Sequence, residues 1–239
     1  MSRLVVSNLS ISRAELPVVS SLDLVAESGA ISVVLGANGA GKTTLLEGLS
    51  GVIPVAGGTI AIDGRELQKS RPGARSREGL AHVEQGRTVF RQLTTEENLR
   101  VSLHTGADLE EAYALFPELV QRRGVKASLL SGGEQQMLVI ARALLTRPKV
   151  LLIDEMSAGL APVIVTRLMT AVRKLADDGL AVVLVEQFAA LALSIGNRAY
   201  VMRRGRVVYD GDCAKLRQSP DELHRLYLGG AEAAKAGTA

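Results

Sequence analysis

Residues Ile31–Thr43 read ISVVLGANGAGKT. Ile31–Leu35 is a short apolar run rich in β-branched residues, the composition of a buried strand. Gly36–Thr43, GANGAGKT, matches G-x-x-x-x-G-K-[ST], and Leu45 and Leu46 behind it begin a helical pattern. A glycine-rich turn between a buried strand and a helix brings backbone N–H groups close to phosphate oxygens, and the helix adds its positive end. Gly36, Asn38, Gly39 and Gly41 would form the cradle. Lys42 would reach the β- and γ-phosphates, and the Thr43 hydroxyl, followed by Thr44, would meet a phosphate-bound Mg²⁺.

Working outward, further apolar runs at Leu80–Val83, Val150–Ile153 and Leu180–Val185 have the same character, and helical patterns follow several of them. Such runs suit a parallel sheet covered on both faces. Pro162 opens one helix, with Ile164, Val165, Leu168, Met169, Val172 and Leu175 on one stripe and Asp178-Gly179 at its end. Two regions break this rhythm. The stretch to about Gly64 has hairpin-like strands such as Thr59–Ile62, which predicts a small antiparallel subdomain. Residues Gly86–Leu130 carry helical patterns without strands, with capping-box spacing at Thr94/Glu97 and Asp108/Glu111, which predicts an inserted helical subdomain. The expected fold is α/β, a P-loop core with both additions, forming one domain over residues 1–229. The remaining residues 230–239, AEAAKAGTA with its neighbouring glycine, have no apolar face and read as a disordered tail.

With 239 residues, 47% apolar and 22% charged, the chain has the composition of a globular protein. A net charge of +3, 3% aromatic residues and no Trp provide neither a basic surface nor a base-stacking platform, so no nucleic acid partner is expected. The one cysteine, Cys213, reads as a small turn residue, and the N-terminus shows no signal pattern. Both fit a cytoplasmic protein. No apolar run is long enough to span a bilayer, so membrane association has to go through a partner.

Val150–Glu155, VLLIDE, is a strand ending in two carboxylates, at the end where α/β sheets place ligands. Asp154 is suited to Mg²⁺, and Glu155 to orienting and deprotonating an attacking water. Leu130–Gln136 reads LSGGEQQ. Ser131 and Glu134 have capping-box spacing, and Gly132 and Gly133 leave the head of the helix bare enough for a γ-phosphate.

P-loop, LSGGEQQ and VLLIDE, in this order and spacing, resemble the ATP-binding cassette of ABC proteins over nearly the whole chain. The resemblance implies an ATPase that binds ATP and Mg²⁺, and it puts Gln85 in the loop that contacts Mg²⁺ or water and touches a transmembrane permease. It also implies a head-to-tail pair, in which Ser131, Gly132, Gly133 and Glu134 close over nucleotide held by a second ABC ATPase subunit. VEQGRTVFRQLTTEENL, LFPEL, GLAP, LVEQ and YLG narrow the resemblance to the shorter ATPase of branched-chain amino acid importers, with urea or amide importers as relatives. For such a subunit the implied place is peripheral, on the inner face of the plasma membrane, where a solute-binding protein and the permease choose the cargo.

Three positions depart from the wider family. Arg13 stands where an aromatic normally stacks on adenine, and it either lays its guanidinium on the base or remains a solvated arginine. Ala161 replaces a D-loop aspartate. Gln187 replaces the switch histidine and can hydrogen-bond a γ-phosphate without shuttling a proton. The stretch from Leu103 to Asp108 is short for the family. The rival class, a soluble ABC ATPase acting on nucleic acid, the ribosome or cofactor assembly, tends to carry second cassettes, coiled coils or basic extensions, none of which this sequence shows.

Overall fold

The computed structural model describes residues 2–228, so the expected tail at 230–239 lies outside the described residues. Two sheets face each other across a shared core. The first is antiparallel, in the order β2-β1-β4-β5, from β1 (Arg3–Arg13), β2 (Leu16–Glu27), β4 (Gly57–Ile62) and β5 (Arg65–Glu66). Arg13 pairs with Leu16 across a two-residue turn, with Ala14 and Glu15 at φ 45° and 68°, the left-handed conformation that matches the twist of a tight hairpin.

The second sheet has six strands in the order β10-β9-β3-β8-β7-β6. Its parallel part comprises β3 (Ile31–Leu35), β6 (Leu80–Val83), β7 (Val150–Asp154), β8 (Ala181–Val185) and β9 (Arg198–Arg203). β10 (Arg206–Asp212) closes one edge antiparallel to β9. Side chains alternate between the faces of a strand, and the sequence fills both faces with apolar residues. Val34, Leu152, Val183 and Val185 point into the core shared with the antiparallel sheet, beside Leu4, Leu24 and Ile60. Val33, Leu151, Ile153, Val182 and Leu184 enter the opposite core, beside Leu138, Leu168 and Val172.

Helices cover the sheet. α1 (Lys42–Ser50) follows β3 and contributes Leu45, Leu46 and Leu49 to the shared core, while α2 (Pro72–Arg77) precedes β6. Between β6 and β7 lie α3 (Thr95–Arg100), α4 (Leu109–Leu115), 3-10 turns at Pro117–Arg122 and Ala127–Leu129, and α5 (Gly132–Leu144). All three expected capping boxes form, at Thr94/Glu97, Asp108/Glu111 and Ser131/Glu134, each satisfying two otherwise orphaned N–H groups. α5 packs against both α3 and α4.

α6 (Pro162–Asp177), α7 (Ala189–Ile195), α8 (Cys213–Arg217) and α9 (Pro220–Leu228) complete the helices of the described residues. Cys213 corrects the sequence reading: it opens α8 and is wholly buried, and burial pushes its thiol up to about 12. Such a thiol is inert packing material. Among the described residues, no helix is long and apolar enough to cross a membrane.

Candidate nucleotide site

The parallel register brings the expected site together. Val34 and Asp154 both stand opposite Val185, and Val83 stands opposite Ile153, so β3, β6, β7 and β8 end nearly level. The residues just beyond those ends are the phosphate loop, Gln85, Glu155 and Glu186-Gln187. They meet because parallel strands deliver their carboxyl ends to one edge.

The loop from Gly36 to Gly41 is built around glycine. At Gly36 a Cβ would lie 2.3 Å from the Met202 carbonyl oxygen, so only glycine fits between the loop and β9. Gly41 caps α1 at φ 102° and offers no side chain to the first N–H groups of the helix, which leaves them open to an anion. Lys42 is 5% exposed, and its ammonium donates to the Gly36 and Ala37 carbonyl oxygens at 2.7 and 3.2 Å. Burial lowers its pKa, while the negative charges of Glu155, Asp154 and Glu186 oppose that shift. A buried ammonium held only by carbonyls is a cation awaiting a stronger anionic partner.

Asp154 is 1% exposed, and its Oδ1 has no hydrogen-bond partner. Burial pushes its carboxyl upward, the Thr43 hydroxyl and Lys42 pull it back, and Glu155 adds to the rise. An orphaned, buried carboxylate oxygen beside a threonine hydroxyl fits a hard divalent cation that completes its shell with phosphate and water. Among the described residues no cluster of three or more His, Cys, Asp or Glu is suited to holding a metal.

A pocket of about 420 Å³ opens over this edge, lined by Asn38, Gly39, Gly41, Lys42, Thr43 and Thr44 from the loop and α1, together with Val18, Gln85, Glu155 and Gln187. Gln85 donates from Nε2 to Glu155 Oε2 at 2.7 Å, and Gln187 Nε2 donates to Asn38 Oδ1 at 2.8 Å. Glu155 itself sits at φ 46°, fixed by a 3.0 Å bond from its N–H to the Val185 carbonyl.

Gly36 and Asp154 are not among the lining residues, and two further expected groups stand apart from the pocket. Ser131, Gly132, Gly133 and Glu134 lie at the head of α5, outside the pocket lining of their own chain. There the Ser131 hydroxyl accepts from Glu134 N at 3.2 Å, and Arg122 Nε donates to Glu134 Oε1 at 2.7 Å. Arg13 is pinned to α1, where its Nε donates to Thr44 Oγ1 at 3.0 Å and its Nη2 pairs with Glu47. Guanidinium N–H bonds lie in the plane of the group, so the flat faces of Arg13 remain uncommitted.

Sequence reasoning passed over Arg87 and the pair Ser157–Glu186. Arg87 takes a left-handed φ of 56° and donates from Nη2 to the Ala158 carbonyl at 2.7 Å, and a Cβ on Gly132 would lie 2.6 Å from its Nη1. It thus joins the segment after Gln85 to the segment after Glu155 and to the head of α5. Nothing in the spacing of these residues advertises that contact, because Arg87 and Gly132 stand at opposite ends of the long connection between β6 and β7 and Ala158 lies in the next one.

Similarity to known proteins follows the same outline. A family model described as "ABC transporter" matches residues 19–158. The chain is 42% identical over 210 residues to the high-affinity branched-chain amino acid transport ATP-binding protein BraG of Pseudomonas aeruginosa, covering 85% of this chain and 90% of that protein. It is 32% identical over 237 residues to the lipopolysaccharide export system ATP-binding protein LptB of Escherichia coli K12, covering 96% and 98% of the two chains. Among solved structures, a nucleotide-free ATP-binding cassette from an ABC transporter superposes with a TM-score of 0.84 at 23% identity, over 96% of this chain and 100% of that one. That last likeness bears on the fold.

Proposed function

From the premise that this chain belongs to the ABC transporter family and is one of its ATP-hydrolysing subunits, we propose that it powers an importer for branched-chain or other small amino acids. The observation that carries the mechanism is the division of the site. The phosphate loop, Gln85, Glu155 and Gln187 share one pocket, while the Ser131–Glu134 segment stands outside it at the head of another helix. Such a chain holds half a site at each of two places. Two cassettes arranged head to tail would complete both, with Ser131, Gly132, Gly133 and Glu134 of this chain closing over ATP bound to the partner ATPase.

Within its own half, Lys42 would exchange its loop carbonyls for the β- and γ-phosphates, and the open N–H groups of α1 would hold the phosphates from below. Thr43 and Asp154, with Gln85 close by, would hold Mg²⁺. When bound, that ion would neutralise phosphate charge as the γ-phosphoryl group leaves. Glu155 would orient the attacking water and accept its proton, and the Gln187 amide would hydrogen-bond the γ-phosphate. Thr44 would meet the α- or β-phosphate from the first turn of α1, with Arg13 beside it and its flat face free for the adenine ring.

The subunit would sit on the inner face of the plasma membrane through a permease, and a solute-binding protein would deliver cargo from outside. The second cassette would be a related but different chain. The amino-acid cargo follows from BraG, whose identity to this chain exceeds that of LptB by ten percentage points (42 against 32). The experiment is purification of this chain with a candidate permease and second ATPase, reconstitution into vesicles, and measurement of ATP-dependent uptake of leucine, valine and urea. Uptake of leucine or valine is expected. Uptake of urea alone would shift the cargo, and absence of any complex with a permease would point to the soluble rival.

A further inference from the structure

Glu186 is wholly buried, and no step described so far uses it. Its carboxylate lies where β7 and β8 end. One oxygen accepts from Ser157 N at 3.2 Å, and the other accepts from Ser157 Oγ at 2.5 Å and from Gln187 N at 3.2 Å. Ser157 is itself 2% exposed. A carboxylate buried among neutral donors is an expensive way to close two strand ends that amides or apolar side chains could fill. Burial pushes its pKa upward, while the hydrogen bonds from Ser157 and Gln187 pull it back.

The two loops it joins carry the groups that would act on the γ-phosphate. Ser157 lies two residues beyond Glu155, which holds a left-handed φ of 46°, an unfavourable conformation for a residue with a side chain unless its surroundings impose it. Gln187 follows Glu186 directly. Glu155 is also tied to the end of β8 by its own N–H. A second cross-link, through Ser157, stops the segment from rotating about that single bond.

Resting on the ATPase reading above, we propose that Glu186 is a positioning residue for hydrolysis, which through Ser157 and the Gln187 backbone holds Glu155 and Gln187 at a fixed spacing around one γ-phosphate. Loss of the link leaves the phosphate loop intact and loosens the groups that act during turnover. The signature is therefore a fall in kcat with little change in ATP binding.

The test uses the full chain as wild type, Glu186→Gln, Ser157→Ala, their double variant and Ser157→Thr. ATP affinity is measured with a fluorescent ATP analogue, kcat and KM by phosphate release, and folding by Tm. Each of the first two variants is expected to lower kcat about tenfold, the scale of one lost charge-assisted hydrogen bond, with ATP affinity and KM changed by less than about twofold. The double variant should be no worse than the poorer single, since both remove one contact. Ser157→Thr, which keeps the hydroxyl, should hold kcat within about threefold of wild type.

Wild-type kcat in a folded Glu186→Gln or Ser157→Ala protein would overturn the inference, as would multiplying losses in the double variant. So would matched losses of affinity, kcat and Tm, the pattern of a purely structural residue. Should Glu186→Gln fail to fold, Ser157→Ala against Ser157→Thr decides alone. A wild-type chain that binds no ATP would overturn the ATPase reading and this inference together.

Discussion

Gln85 Nε2 donates a 2.7 Å hydrogen bond to Glu155 Oε2, joining the loop after β6 to the carboxylate that follows β7. Those strands are neighbours in the parallel sheet, so a shift of the Gln85 loop moves the partner of the candidate base directly. Glu155→Gln keeps the side chain's size and removes its capacity to take a proton. ATP binding is expected to persist while turnover falls by about 100-fold or more, the scale of a lost general base. Phosphate-release assays and nucleotide binding on the same preparation check this.

Lys42→Ala removes the one buried ammonium of the pocket. Its present partners are two loop carbonyls, which water can serve, so the fold should survive. ATP affinity is expected to drop by at least about 30-fold, corresponding to the roughly 2 kcal/mol or more lost when a buried charge pair loses one member. Calorimetric titration with ATP measures it, and unchanged affinity would remove the phosphate-loop assignment.

Arg13→Ala should have a smaller effect. Stacking on a base, together with the contact to Thr44, is worth about 1 kcal/mol at a half-exposed site, so ATP affinity should fall about fivefold. Equal affinity of the two proteins would make Arg13 a surface brace between the first hairpin and α1.

How much of this site the sequence discloses depends on how local its signals are. The phosphate loop, the strand ending in Asp154-Glu155 and the three capping boxes were legible because each is written in fewer than ten consecutive residues. The strands of the parallel sheet were legible too, through apolar runs that fill both faces. Tertiary pairings were not. Glu186 reads as one more charged residue at a strand end until the register of β7 against β8 brings Ser157 to it, 29 residues away in sequence. Arg87 meets Ala158 across 71 residues, and Arg13 meets Thr44 across a hairpin whose turn gives no sign of that approach. Cys213 was misread because the segment after Gly211 looks like a turn, while packing against the sheet makes it the buried start of a helix.

His82 gives the fold an acid-sensitive point away from the pocket. Its Nδ1 lies 3.1 Å from Ser50 Oγ and its Nε2 has no partner, and burial pushes its pKa from 6.5 down to about 4. The unfolded chain therefore binds this proton more readily than the folded one. Stability is fully present above about pH 6.5 and is lost as pH falls toward 4, by up to about 3 kcal/mol. Tm measured from pH 7 to pH 4 should fall more steeply for wild type than for His82→Gln, and parallel curves would exclude His82 as the cause.

The division of the site between two chains is tested most directly by the ATPase rate as a function of protein concentration, first for this chain alone and then with the candidate second ATPase and permease added. ATP bound across an interface stabilises the pair by mass action, so the isolated chain should hydrolyse slowly, at a specific rate that climbs with concentration, and addition of the partners should raise that rate. A high specific rate that does not change with concentration would contradict the composite site, because Ser131–Glu134 would then have no part in hydrolysis.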